Sequence, residues 1–184
     1  NTGETTQKIN TSAIGVYTVD VTSPAPENCT NTKKITVAEY SKPEINVIEV
    51  EETTVTIELI KKEDYFEYSI DGINYQSSNV FTNAPSGLQT AYVREINQCS
   101  IDKKSFIVII VPKFFTPNND GFNDVWEVKG IVNYPLAEIT IFDRYGKLIT
   151  QLNYSNSSWD GTFNKNILPS TDYWYVLKLD PNSP

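Results

Sequence analysis

Three groups of side chains have the types and spacing to do chemistry, and all lie beyond residue 112. The first is Asn118, Asp120 and Asp124, oxygen donors at alternate and near-alternate positions around Gly121. Oxygen sets of this kind suit calcium. An EF-hand loop, however, carries Gly at its sixth position and a bidentate Glu at its twelfth. Counted from Asn118, Gly121 is fourth and the twelfth residue is Lys129. The same residue types cap tight turns by accepting hydrogen bonds from their own backbone, and that role suits the spacing better than calcium does. The second group is Arg144 and Tyr145, between Asp143 and Gly146. The planar guanidinium can clamp a carboxylate or carbonyl inside the protein, or meet a partner outside it. The third is Trp159-Asp160-Gly161, where the indole caps a core or offers a flat platform to a ligand, the core being the simpler use.

Catalysis is not expected of this set. The chain has no His, the usual acid–base group at neutral pH. A nucleophilic Ser or Cys therefore lacks its base, and no two acids are spaced to face one cleft as glycoside hydrolysis requires. Two Cys, Cys29 and Cys99, with no His and no third Cys, do not complete a zinc site.

The elements that must position these residues are strands. Short runs of β-branched and aromatic residues alternate at period two between clusters of Gly, Pro, Asn and Ser. In Thr54 to Leu59, Val55, Ile57 and Leu59 face one way and Thr54, Thr56 and Glu58 the other. Phe66, Tyr68 and Ile70 precede Asp71-Gly72, then Ile73 and Tyr75, which predicts a hairpin with a type I′ turn. Ile139 to Phe142 and Leu148-Ile149 read as two strands joined by a turn at Asp143 to Gly146. A last strand carries Tyr173, Tyr175, Leu177 and Leu179 on one face. The fold class is all-β, as tandem immunoglobulin-like antiparallel sandwiches.

An internal repeat sets the boundaries. Gly15 to Val21 precede Cys29 and the pair Lys33-Lys34; Gly87 to Val93 precede Cys99 and Lys103-Lys104. Residues 1–42 are then the C-terminal part of one module, residues 43–112 a complete second one, and residues 113–184 a module of different character holding all three Trp. Matching cysteines of successive modules sit a module apart, beyond the roughly 7 Å that a disulfide spans, so Cys29 and Cys99 are not expected to pair.

Bulk properties narrow the partners. The chain has 184 residues, 39% of them apolar, and a net charge of −8. That balance argues against nucleic acid or an anionic membrane surface, both of which select clustered Lys and Arg. The acidity is concentrated in residues 43–112, with eleven acids against five bases, and reads as a solvated face. No apolar run approaches the roughly 18 residues of a membrane span. There is no Met and no basic-then-apolar leader, so the chain reads as an internal piece of a larger protein.

Four segments of the tail carry a resemblance: Phe115-Thr116-Pro117-Asn118-Asn119-Asp120-Gly121-Phe122-Asn123-Asp124, Ile141-Phe142-Asp143-Arg144-Tyr145-Gly146, Trp159-Asp160-Gly161, and Leu168-Pro169 leading to Tyr173-Trp174-Tyr175. In this order and spacing they resemble the gliding-motility-associated C-terminal domain, the type B sorting domain of the type IX secretion system. The resemblance implies a domain that sends its parent across the outer membrane of certain Gram-negative bacteria to the cell surface. It implies as partners the outer-membrane translocon and its accessory β-barrel proteins, with Arg144, Tyr145, Trp159, Asp160 and Gly161 as candidate contacts. The upstream modules resemble the Ig-like repeats of large surface adhesins, which leaves a second reading: repeats that bind a glycan or protein directly, marked by an exposed row of aromatics on residues 43–112. The tail departs from the family at Ser170-Thr171-Asp172, where a Gly usually follows Leu-Pro-x. The family also continues into a last hairpin where this chain stops at Pro184, which predicts an unpaired sheet edge beside Tyr173 to Leu179.

Overall fold

Strands account for nearly all regular structure in the computed structural model, which describes Thr5 and residues 8–180. The chain divides into two compact units, one ending at Ser41 and one beginning at Lys42.

The first unit is a hairpin of β1 (Gly15–Thr22) and β2 (Thr30–Val37), with Gly15 opposite Val37 and Thr22 opposite Thr30. Its turn is closed by Ser23, whose backbone amide donates to the Cys29 carbonyl at 2.9 Å while its Oγ accepts from the Cys29 amide at 3.0 Å.

The second unit begins with two three-stranded sheets. One orders β3 (Ile45–Glu51), β4 (Thr54–Leu59) and β6 (Val80–Phe81); the other orders β5 (Phe66–Ser69), β7 (Gly87–Glu95) and β8 (Ile101–Val108). Alternation builds the core between them. Val55, Ile57 and Leu59 of β4 are buried with Phe66 and Tyr68 of β5, Ala91 and Val93 of β7, and Val108 of β8. Arg94 of β7 lies over the Tyr75 ring at 3.6 Å and pairs with Glu67 of β5 at 2.9 Å.

The expected type I′ hairpin at Asp71-Gly72 is a different loop. Only Gly72 takes positive φ, at 73°, whereas a type I′ turn needs both residues there. The Asp71 carboxylate instead accepts from the backbone amides of Ile73 and Asn74 and from the Ser69 hydroxyl, each at 2.8 Å, and from the Asn74 side-chain amide at 2.7 Å. Those donors, the Asn74 amide foremost, hold the carboxyl well below the usual carboxylate range. An Asx-type loop has displaced the tight turn. Ile73 is left exposed, and the chain rejoins the strand through a bridge between Tyr68 and Gln76.

Beyond residue 112 the strands shorten. β10 (Glu138–Phe142) is central in a sheet with β11 (Leu148–Asn153) on one side and β15 (Trp174–Lys178) on the other, following β9 (Trp126–Glu127) and preceding β12 (Ser158–Trp159), β13 (Thr162–Phe163) and β14 (Asn166–Ile167) in the chain as a mixture of two-stranded ribbons. β9 pairs with β12, placing Trp126 opposite Trp159. The turn expected at Asp143 to Gly146 joins β10 to β11: Asp143 Oδ1 accepts from the amides of Tyr145 and Lys147, and the Gly146 amide donates to the Asp143 carbonyl. β15 ends its sheet with its outer side unpaired among the described residues, the edge expected beside Tyr173. Ile139, Ile141, Ile149 and Leu152 form the core with Trp126, Val128, Ile131 and Trp159.

The apolar run that closes β8 and continues beyond it, Phe106 to Val111, feeds both cores of this unit. Phe106, Val108 and Ile110 pack on the first, and the alternate residues Ile109 and Val111 pack on the second.

Candidate functional site

The loop from Phe114 to Asp124 is folded by its own carboxylates. Asp124 Oδ1 accepts from the amides of Asn118 at 3.2 Å and Asn119 at 2.6 Å, and its Oδ2 from Gly121 at 2.7 Å. Asp120 Oδ1 accepts from the Phe122 amide at 2.8 Å, and its Oδ2 from the Asn118 side-chain amide at 2.8 Å. These bonds, the Phe122 amide first, lower the pKa of Asp120. Asn118 Oδ1 in turn accepts from the Asp120 amide. The three residues weighed as calcium ligands are thus brought together, with their oxygens directed at loop donors. Asn119, Asn123 and Gly121 all take positive φ, which Asn and Gly tolerate best and which lets the loop close so tightly.

Trp159 and Gly161 are buried, and the exposed Asp160 caps the turn between them and Thr162. The Trp159 indole is 6% exposed, and its Nε1 donates to the Thr162 carbonyl at 2.9 Å. Asp160 accepts from the Thr162 hydroxyl at 2.8 Å and from its amide at 2.9 Å, and these donors hold its pKa down, the hydroxyl first. Gly161 sits at φ 79°, where a Cβ would lie 3.2 Å from the Phe115 ring and 3.5 Å from Pro117. Phe115 and Tyr173 both lean on Trp159, with ring centres 5.4 and 5.0 Å away. The Tyr173 hydroxyl donates to the Pro169 carbonyl at 2.8 Å. Three of the four tail segments therefore converge on one indole.

The tip of the fourth segment points away, although Ile141 at its start shares the core with Trp159. Tyr145 is 87% exposed at the β10–β11 tip, with the Arg144 guanidinium 5.7 Å from its ring centre. The turn is made by Asp143 and Gly146, and among the described residues Arg144 is in no ion pair. The two halves of the proposed contact set are separated by role: an exposed cation and aromatic at a tip, and a turn in which Trp159 and Gly161 are buried while Asp160 stays exposed.

The sequence reading did not gather the aromatics around that triplet. Phe115, Trp126, Trp159, Tyr173 and Tyr175 line a groove of about 540 Å³ beside the open edge of β15. Trp126 and Tyr175 lie 5.3 Å apart, and the Trp126 Nε1 donates to the Pro112 carbonyl at 2.8 Å. The confinement of every Trp to this tail was the available signal. Among the described residues no three or more Cys, Asp or Glu are grouped to hold a metal ion. Cys29 and Cys99 are both free and exposed.

These side chains hold turns and fill a core. In comparison with protein families, residues 109–184 match the CHU_C type IX secretion signal domain, and the terminal module is recognised as such a domain. No curated protein and no solved structure matches the chain.

Proposed function

We propose that the terminal module is the address by which its parent protein is exported through the outer membrane to the cell surface, read there by the type IX translocon and an accessory β-barrel protein. The family match over residues 109–184 carries this reading. The convergence of the tail segments on Trp159 supports it, because it gives those segments a common task in one shape. The module acts by that shape and is not a catalyst: its conspicuous carboxylates, Asp120, Asp124, Asp143 and Asp160, are engaged as turn caps.

The surface that meets the translocon is the Arg144–Tyr145 tip. Trp159 and Gly161 serve it from inside by fixing the core beneath, and the exposed Asp160 by capping their turn. Tyr and Arg are the residue types that most often dominate a protein interface, and here neither is consumed by the turn that displays it. The sandwich of residues 43–112 is an Ig-like stalk repeat, a reading supported by its two three-stranded sheets around one core. Its aromatics are buried or half-buried, including Tyr65, Tyr75, Phe81, Tyr92 and Phe106, so the exposed row that would favour direct adhesion is missing there.

A reporter fused ahead of residues 42–184, in a bacterium with a type IX system, tests the proposal. Surface labelling of the reporter is expected with the native tail. It should fall to background in the double variant Arg144→Ala/Tyr145→Ala, whose tryptophan emission stays native. A reporter held in the periplasm by the native tail overturns the sorting role; equal export of the double variant overturns the tip.

A further inference from the structure

The seam between the sandwich and the terminal module is closer than a linker requires. The Ile110 amide donates to the Lys129 carbonyl at 3.0 Å, and the Lys129 amide returns the bond at 2.9 Å. The next residue, Gly130, takes φ 86°, and a Cβ there would lie 2.2 Å from the Val108 carbonyl oxygen and 3.1 Å from the Gly87 nitrogen. Gly87 and Val108 are the paired ends of β7 and β8. The terminal module therefore seats its backbone on the end of the sandwich's hairpin, at a point that admits no side chain. The 3-10 turn Ile131–Asn133 follows at once, with Ile131 buried in the second core. Since Ile109 and Val111 also enter that core while Val108 and Ile110 enter the first, neither core is complete without the same stretch of chain, the end of β8 and the residues just after it.

We infer that the sandwich and the terminal module fold as one cooperative unit, coupled through the Gly130 seat, so that the sorting shape is completed only once the module before it has folded. The consequence for export rests on the sorting reading; the coupling itself does not. Two cores that share one short stretch of chain, and a turn that needs the hairpin end as its floor, transmit instability from one to the other. A chain with this arrangement withholds its export address while the preceding repeat is unfolded.

Equilibrium unfolding of the full chain tests the coupling, because all three Trp lie beyond residue 112 and report the terminal module alone. Hydrogen exchange of the β4 amides reports the sandwich. Ile57→Val, a mild change in the first core, should lower the denaturant midpoint of the tryptophan signal by as much as that of β4. In a Gly130→Ala background the same change should leave the tryptophan midpoint where it was. Gly121→Ala is the control: Gly121 has φ 88° but nothing within 4 Å of its Cβ position, so it carries the backbone strain without the collision. If Gly130→Ala leaves the tryptophans unfolded while β4 stays protected and Gly121→Ala folds, the seat is again supported. Tryptophans that ignore Ile57→Val overturn the coupling. Equal effects of Gly130→Ala and Gly121→Ala overturn the seat. A reporter that stays in the cell while Ile57→Val still moves the tryptophans counts against the sorting reading and leaves this inference standing.

Discussion

The chain makes one hairpin twice. In β1–β2, Gly15 faces Val37 at one end, and at the other Asn28, with φ 46°, precedes Cys29, whose Sγ donates to the carbonyl two residues back at 3.6 Å. In β7–β8, Gly87 faces Val108, Gln98 takes φ 59° before Cys99, and the Cys99 Sγ donates to the carbonyl two residues back at 3.8 Å. Strand pairing and turn chemistry are alike, yet cover is not. Val21 and Val93, each six residues after its glycine, are 64% and 0% exposed. The difference teaches what local sequence can do alone. It closes a turn and sets a register, but burial comes from strands elsewhere, here β5 beside β7 and the β3–β4–β6 sheet across the core.

The largest effect expected from this contrast is therefore at Val93. Val93→Ala should destabilise the second unit by about 2 kcal/mol, the cost of losing fully buried methyl groups and leaving a void. Val21→Ala should stay within about 0.5 kcal/mol, as for any exposed side chain. Urea denaturation monitored by circular dichroism and tryptophan emission measures both. Equal losses at the two valines would mean that the first hairpin is covered in solution.

Next comes the outer face. Arg94, the last but one residue of β7, makes an ion pair and stacks on a ring, both partly buried, whereas its counterpart Thr22 makes an exposed hydroxyl contact with Thr30 at 2.9 Å. Arg94→Ala should cost about 1–2 kcal/mol. Arg94→Lys should recover part of the stacking but not the fork that meets Glu67. Thr22→Ala should be silent in the same assay.

How far such contrasts were legible in the sequence depends on what each one rests on. Alternation gave β4 and β10 directly, because one face of each is buried and the period shows it. The Gly, Cys and Lys-pair spacing gave the repeated hairpin, since those residues act locally. Asp71-Gly72 misled because a side chain with four donors in reach outcompeted the backbone turn that the dipeptide favours. Pro112 marks the end of an apolar run, but the run's double duty was harder to see. Phe106 to Val111 is apolar without alternation, the pattern of a strand buried on both faces, and nothing local says that the faces belong to different cores. The family match begins inside this run, at Ile109. At the candidate site the segments were visible one by one. Their meeting at Trp159 was not, because it joins residues from Phe115 to Tyr173 through packing alone.

A smaller effect tests the loop that covers β7. Gly72 lies against Tyr92, its Cβ position 3.1 Å from that ring, and the loop is held by the ionised Asp71. Asp20, which holds on β1 the place that Tyr92 holds on β7, makes an exposed bond with Thr32 at 2.6 Å. A carboxyl whose folded pKa is depressed adds stability above its unfolded value, near 4, and that stability is lost as pH falls through the lower folded value. Asp71→Asn should therefore be less stable than the native chain at pH 7, with the gap closing only below about pH 4. Urea midpoints across pH 2 to 7 measure it; a gap that closes between pH 5 and 6 would point to another group. Asp20→Asn should show no such gap.

The likeness between the hairpins is sharpest at the cysteines, where the smallest difference is expected. Thiol reactivity follows exposure and thiolate fraction. Both thiols are exposed, and both sit one residue after a positive-φ position, donating to the carbonyl two residues back. Burial of the hairpin face does not reach the turn, so the second hairpin's core should not slow its cysteine. Native protein treated with a chromogenic disulfide should release two equivalents without denaturant, in a single phase. Cys29→Ser and Cys99→Ser should each remove one equivalent and leave the rate of the other unchanged. One fast and one slow thiol would show that the strands packed around β7–β8 also govern its turn, and that the two turns are alike in outline only.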